Sequence, residues 1–214
     1  MRSFRPGESW RVLGVAVAIS VFLVVLKTAG LLIGAIVLGI SIGVALGGRF
    51  SALATLKFRA LAFFALGISA ALVSTVPVTS DLQRGAYAVS FWLLVVFAAL
   101  NARATGATLI AAGLLAQALV VTANGGAMPY SSEAASIAGA TVGAASSLQV
   151  ALGQHSQLPF LADVIPFPFN GRAYSLGDLV IAAGLFRFGF SATVGARNRN
   201  RLVLHPQAQG EVAR

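Results

Sequence analysis

The chain has 214 residues, of which 57% are hydrophobic and only 10% are charged, and 15 Lys and Arg against 6 Asp and Glu give a net charge of +9. An ordinary soluble domain carries about 25% charged residues, so this composition excludes a water-soluble fold and indicates an integral membrane protein. Because the chain has no cysteine, disulfides, thiolate metal sites and thiol nucleophiles are excluded as well.

Six apolar segments are long enough to cross a membrane, since about 30 Å of hydrocarbon requires about 20 helical residues. They are residues 10–27, 29–47, 60–77, 86–102, 104–123 and 175–193. Only Lys27 and Thr28 separate the first two, which predicts a tight helical hairpin or a boundary that lies elsewhere. The first segment lacks a small-residue cleavage site before a polar sequence, so we interpret it as a retained span and not as a cleaved signal peptide. The predicted fold is all-α: a polytopic transmembrane helix bundle over residues 1–193, followed by a basic tail at 194–214.

Basic residues orient this bundle. With six spans, one side carries Arg2, Arg5, Arg11, Arg49, Lys57, Arg59, Arg103, Arg197, Arg199 and Arg201, and the other keeps Lys27, Arg84 and Arg172. The positive-inside rule therefore predicts a multi-pass membrane protein with both termini in the cytoplasm. The basic tail is suited to solvent and to anionic lipid headgroups.

The same distribution of charge argues against other partners. Basic residues stand in short clusters between apolar runs and do not alternate with aromatic residues along one face, as they do in nucleic-acid-binding proteins. The two histidines, His155 and His205, are far apart in the sequence. We therefore predict the lipid bilayer as the main partner, with no nucleic acid, no metal and no cofactor.

Residues 124–174 form one long segment on the predicted outer side. The run at 135–153 is rich in Ala, Gly and Ser, and it predicts a re-entrant or interfacial helix because small residues allow close helix packing. The alternative is a seventh span, which would place the C-terminal arginines outside. Prolines then predict irregular structure, and aromatic residues suit the membrane interface. These residues are Pro159, Pro166, Pro168, Phe160, Phe167, Phe169 and Tyr174.

Two acidic residues of this region, Asp163 and Asp178, lie 15 residues apart within or beside apolar sequence. Ser175-Leu-Gly-Asp178 has the form of a capping box that starts the last helix, and Asp163 stands where a turn residue would, before Val-Ile-Pro. The alternative interpretation is catalytic. Two carboxyl groups that meet in a dry site have their pKa values driven apart, so that one stays protonated while the other activates water.

The stretch NGGAMPYSS, which begins at Asn124, is the second unusual feature. Gly125 and Gly126 permit positive φ and Asn tolerates it, so the stretch predicts a turn after the fifth span. The alternative is a backbone cradle for a ligand or peptide at the membrane surface. Asn124, Gly125, Gly126 and Ser175 are therefore the candidate binding residues.

Three stretches carry a resemblance to a known family: GGRFSALATLKFRALAFFAL at 47–66, NGGAMP at 124–129, and LADVIPFP with YSLGDLVIAAG within 161–184. Together they resemble an uncharacterised bacterial family of multi-pass membrane proteins, the domain of unknown function number 5317. The resemblance extends from about residue 30 to about residue 190. It implies a helical membrane protein and no established activity.

The stretch from Tyr174 to Gly184 also resembles the Phe-Asn-x-Ala-Asp-x-x-Ile-x-x-Gly motif of bacterial lipoprotein signal peptidases, which are intramembrane aspartyl proteases. This resemblance implies that Asp178 occupies the position of one catalytic aspartate. Asn124-Gly-Gly-Ala is similar to a surface stretch of that family. Asp163 departs from the pattern, because the peptidases' other aspartate is followed by Arg, and Ser175 stands in place of the motif's Asn.

The sequence predicts a membrane protein whose first interpretation is a non-enzymatic scaffold or accessory membrane subunit, bound to a membrane protein partner. The alternative is an aspartyl-type intramembrane hydrolase that uses Asp163 and Asp178 on a lipopeptide. A small transporter is a weaker alternative, because the paired broken helices expected of inverted repeats are not evident.

Reporter fusions test the predicted topology. A periplasm-active reporter fused after Gly153 should be active, and one fused after Arg201 should be inactive, because six spans return the chain to the cytoplasm. An inactive fusion after Gly153 together with an active fusion after Arg201 would show that residues 135–153 cross the membrane.

Overall fold

A computed structural model describes residues 6–140 and 146–204. In these ranges the chain forms seven α-helices, four short strands and two 3-10 turns, the latter at Phe50–Thr55 and Pro159–Leu161. The helices are α1 Pro6–Ala29, α2 Leu31–Ala45, α3 Leu61–Val73, α4 Ser80–Leu100, α5 Ala107–Ala123, α6 Ser132–Ala138 and α7 Leu176–Leu204. The strands are β1 Met128–Tyr130, β2 Gln149–Ala151, β3 Ile165–Phe167 and β4 Arg172–Tyr174.

Each of the six predicted apolar segments forms a helix, but the boundary between the first two was predicted at the wrong place. Lys27 and Thr28 lie inside α1, and the chain turns at Gly30, whose φ is 87°. Glycine adopts this conformation without the steric cost that a side chain would add. The first two segments therefore form a hairpin with a one-residue connection.

Two other helices are longer than predicted. Helix α4 begins at Ser80, after an extended Thr79, and places Asp81 in its first turn, where a carboxylate favours the positive end of the helix dipole. Helix α7 continues to Leu204, so the first half of the predicted basic tail is helical. Arginine is a good helix former and suits a helix C-terminus. Residues 205–214 lie outside the described ranges.

The long helix expected within residues 135–153 was a wrong prediction. Helix α6 is only seven residues long, and it ends at Gly139 (φ 78°), where the Ala140 N–H returns to the Ala135 carbonyl at 3.0 Å. Strand β2 then runs parallel to β1, which follows α5 directly. The chain therefore stays at the same end of the bundle, which also excludes the alternative of a seventh span.

Helix α7 packs between α2 and α5, and glycines bring their backbones together. A Cβ atom on Gly113 of α5 would lie 2.6 Å from the Gly177 carbonyl oxygen of α7, and one on Gly184 of α7 would lie 2.7 Å from Ile110. Gly189 of α7 meets the Ile36 carbonyl of α2 in the same way, at 2.8 Å. Small residues at such contacts allow helices to approach closely without a need for water exclusion.

The bundle has two chemically different ends. We call the described residues 124–140 and 146–175 the cap, and the end of the bundle that carries them the cap end. The cap is tied to the bundle by Tyr174, whose hydroxyl accepts a hydrogen bond from the Leu31 N–H at 3.2 Å, and by Arg84, which donates to the Ser147 carbonyl at 2.9 Å.

The opposite end is the basic end. It contains the turns at 46–60 and 101–106 and carries Arg49, Lys57, Arg59 and Arg103. Asn101 closes this end, since its side chain accepts from the Arg59 N–H at 2.8 Å and donates to the Arg59 carbonyl at 2.9 Å.

Apolar side chains cover the outside of the bundle as well as its core. Among the described residues, two helices are long and apolar enough to cross a membrane, Ser80–Leu100 and Leu176–Val194, and four apolar helices are shorter. Large exposed apolar residues lie on helices all round the bundle: Val12, Val17, Leu23, Ile33, Leu61, Leu66, Leu72, Val89, Trp92, Leu115 and Leu119.

The glycine contact between α5 and α7 can be tested by substitution. Gly113→Ala should lower the free energy of unfolding by about 1–3 kcal/mol, because the added methyl group has no space. Gly85→Ala is the matched control: no atom lies within 4 Å of its added methyl group, and it should raise stability by about 0.5–1 kcal/mol through helix propensity. Thermal unfolding in detergent measures both. Equal effects would contradict the packing role.

Candidate functional site

Asp178 and Ser175 form the capping box that the sequence predicts. The Asp178 N–H donates to Ser175 Oγ at 3.1 Å, and the Ser175 N–H donates to Asp178 Oδ2 at 3.0 Å. Ser175 Oγ also donates to the same carboxylate oxygen at 3.0 Å. These reciprocal bonds satisfy amides that have no acceptor within the helix. The structural interpretation of Asp178 is therefore confirmed.

Gln117 of α5 completes this group, and the sequence interpretation did not include it. Its side chain is 5% exposed, and Nε2 donates to Asp178 Oδ1 at 2.7 Å and to Ser175 Oγ at 2.9 Å. A hydrogen bond to a charged acceptor contributes about 1.5–3 kcal/mol, so Gln117 ties α5 to the start of α7. The sequence did contain a sign of this contact: Gln117 is the single amide side chain of the apolar helix α5, and a buried amide needs a hydrogen-bond partner.

Asp163 is positioned by the backbone of the cap. Its N–H donates to the Pro129 carbonyl at 2.9 Å and its carbonyl accepts from the Ser131 N–H at 3.0 Å, which continues the β1 pairing. The side chain is half-buried. Among the described residues, its carboxyl group has no hydrogen-bond partner.

The environment of Asp163 disfavours its charged form. Burial raises the pKa of the Asp163 carboxyl group to about 8, and the neighbouring charge of Asp178 adds to this effect. The phenol of Tyr87, in the second turn of α4, interacts electrostatically with the carboxyl groups of Asp163 and Asp178. Three ionisable groups from α4, the cap and α7 are thus coupled at the cap end. No hydrogen bond joins the two carboxyl groups directly.

The candidate binding residues fall into two separate sets of contacts. Asn124 pairs with the backbone of Gln157: Oδ1 accepts from its N–H at 2.9 Å, and Nδ2 donates to its carbonyl at 2.9 Å. Gly125 and Gly126 have positive φ angles of 65° and 82°. A Cβ atom on Gly126 would lie 2.6 Å from the Arg84 carbonyl oxygen. This stretch therefore forms a tight turn against α4, whereas Ser175 contacts Asp178 and Gln117.

In the described ranges, no three His, Cys, Asp or Glu side chains come together in a way that would hold a metal ion.

Residues 49–190 match a protein family that is described as a family of unknown function (DUF5317). The chain belongs to this family. The family membership expected from the sequence is therefore confirmed. The matched region begins after α2 and contains Tyr87, Gln117, Asp163 and Asp178, so the coupled groups lie within the family domain. No curated protein and no solved structure matches the chain.

The pH dependence of stability tests the environment of Asp163. An unfolded Asp has a pKa of about 3.9, so the contribution of Asp163 to stability should be fully present below about pH 4 and be lost as the pH rises through about 8, where the folded carboxyl group ionises. Asp163→Asn cannot ionise. It should therefore be more stable than the parent above pH 8, by on the order of 1–3 kcal/mol after allowance for partial exposure.

Thermal unfolding in detergent from pH 4 to pH 9 measures this difference, which should vanish at the acid end. Asp81→Asn is the control, because Asp81 is an exposed carboxylate in the first turn of α4. A constant difference between Asp163→Asn and the parent across the whole range would contradict the raised pKa.

Proposed function

We propose that this chain is a multi-pass protein of the bacterial inner membrane, in which α1 to α5 and α7 each cross the bilayer and both termini are cytoplasmic. The exposed apolar side chains on helices all round the bundle support this placement, because water-soluble monomers rarely expose contiguous apolar patches above a few hundred Å². The separation of basic turns at one end from the cap at the other agrees with the positive-inside rule.

Within the membrane, we propose that the chain acts as a non-enzymatic scaffold or accessory subunit. The observation that carries this proposal is the engagement of Asp178. Both of its carboxylate oxygens accept hydrogen bonds from Ser175 or Gln117. The aspartate that would be catalytic in a peptidase thus serves here as a helix cap and as a tie between α5 and α7.

The cap supplies a surface for a membrane protein partner. Phe160 and Phe169 are 66% and 67% exposed, and they lie in the cap between the ends of α5 and α7. Aromatic side chains are enriched at protein interfaces and at the membrane surface. The cap is also held in place at several points, so these side chains stand on a fixed support.

The second candidate function is an aspartyl-type hydrolase, and Asp163 is the observation that favours it. Its half-buried carboxyl group has no hydrogen-bond partner in the described ranges, and with a pKa of about 8 it retains its proton at neutral pH. Asp163 would then be the general acid and Asp178 the base that removes a proton from water. A lipopeptide at the outer face is the substrate class that this arrangement would suit.

Single Asp→Asn substitutions separate the two functions. In a scaffold, Asp178→Asn should lower the free energy of unfolding by about 1.5–3 kcal/mol, because the charged hydrogen bonds to Ser175 and Gln117 are lost. Its abundance in the membrane should fall as a result. Asp163→Asn should keep full abundance and full association with a stoichiometric partner. In a hydrolase, Asp163→Asn should abolish the cellular phenotype of the gene at normal abundance.

Quantitative membrane blots and purification in mild detergent after cross-linking measure these outcomes. Asp81→Asn is again the matched control. Recovery of the parent protein without any stoichiometric partner, together with loss of phenotype in Asp163→Asn, would reject the scaffold and favour the hydrolase.

A further inference from the structure

A groove of about 280 Å³ lies at the basic end, where α5 begins. Arg103 and Thr105 of the preceding turn, Thr108 of the first turn of α5, and Arg187 of α7 line it. Arg187 is unusual because it lies within the apolar part of α7, about 16 Å along the helix from Leu176. An ionisable side chain inside a membrane span is costly and indicates a function.

The packing of α5 against α7 places Arg187 at this level. A Cβ atom on Gly106 would lie 2.9 Å from the backbone nitrogen of Phe188, and one on Gly113 would lie 2.8 Å from that of Ile181. The two helices are therefore antiparallel, and residues 184–188 of α7 lie beside the start of α5. Arg103 reaches the same groove from the turn before α5, so two guanidinium groups from different elements line one space.

Among the side chains that the structure describes, no acid neutralises these two arginines. Both side chains are exposed, and neither has an ion pair or hydrogen bond among the residues whose side chains are described. Asp81, Glu133, Asp163 and Asp178 lie at or near the cap end, on the far side of the bundle. The other charged side chains that are described at the basic end are further cations: Arg49, Lys57 and Arg59. The groove therefore has a strong positive potential, and no acidic side chain in the described part of the chain supplies a counter-charge.

The donor set of the groove fits a phosphate group. The planar guanidinium fork forms paired hydrogen bonds with phosphate oxygens, and the hydroxyls of Thr105 and Thr108 add neutral donors. The first turn of α5 is also a helix N-terminus, whose free amide groups favour a negative charge. Leu109 supplies an apolar wall and is exposed on the outside of the bundle, which suits an acyl chain beside the headgroup.

We propose that this groove is a phosphate-binding site at the level of the cytoplasmic leaflet, occupied by the headgroup of an anionic phospholipid. Occupancy would neutralise Arg187 within the apolar part of α7, and would hold the start of α5 against α7. The lipid as the source of the phosphate rests on the membrane placement proposed above, whereas the phosphate site itself does not.

The test uses the full chain purified in a neutral detergent, with native mass spectrometry after addition of phosphatidylglycerol or phosphatidylcholine of the same acyl chains. The parent protein should retain one phosphatidylglycerol more strongly than phosphatidylcholine. Arg103→Gln and Arg187→Gln should each weaken this binding about tenfold, as expected for loss of one charge-assisted contact. Lys57→Gln is the matched control, because it removes an exposed charge from the same end but does not line the groove.

A second arm uses thermal unfolding with inorganic phosphate in place of lipid. Arginine-dependent stabilisation by phosphate, without selective retention of phosphatidylglycerol, would support the site and assign it to a soluble phosphate. Equal losses in Lys57→Gln and the arginine variants, or no loss in either arginine variant, would overturn the proposal.

Two further measurements keep the outcome interpretable. If a Gln variant fails to fold, Arg187→Lys retains the charge but not the paired geometry, and it should still bind phosphatidylglycerol less tightly than the parent. Recovery of the chain only in the detergent extract of membranes tests the membrane placement separately from the lipid site.

Discussion

Close backbone contact along α7 is the constraint on which the rest of the molecule depends. Glycines on α2, α5 and α7 remove the side chains that would separate these helices, so carbonyl oxygens and amide nitrogens of neighbouring helices come within van der Waals distance. In a membrane, where apolar side chains gain little from mutual burial, this packing is the main source of helix association. The same packing sets the register of α5 against α7. It therefore places Gln117 beside Asp178 and Arg187 beside the start of α5.

At the cap end, the contact between α5 and α7 is polar, because Gln117 meets Ser175 and Asp178 there. If α7 shifted by one turn, the buried amide of Gln117 would be left without a partner, and Asp178 would lose the hydrogen bond that it accepts from α5. The capping box therefore does more than start a helix, since it also specifies the register between α5 and α7. Asp163 is held in a different way, through backbone bonds of the cap. Its carboxyl group therefore depends on how the cap sits on the bundle.

Local features of the sequence were sufficient for the local structure. Apolar length predicted six helices, and the spacing of Ser175 and Asp178 predicted the cap of α7, because both depend on neighbours within a few residues. The interpretation failed where the outcome depends on distant residues. The small-residue run at 135–153 forms a short helix and a strand, since β2 finds a partner in β1 that the run itself does not reveal. The pairing of Gln117 with Asp178 joins residues 61 positions apart, and Arg187 shows its significance only when α5 lies beside α7.

The position of α2 has a consequence for the size of the folding unit. The family domain begins at residue 49, yet α2, at Leu31–Ala45, covers a full side of α7 with backbone contacts at Gly189 and beyond. A fragment cut at the family boundary would lack α2 and would leave Gly189 of α7 without the helix that packs against it. Packing on both sides of α7 thus requires α2, which lies outside the matched residues 49–190.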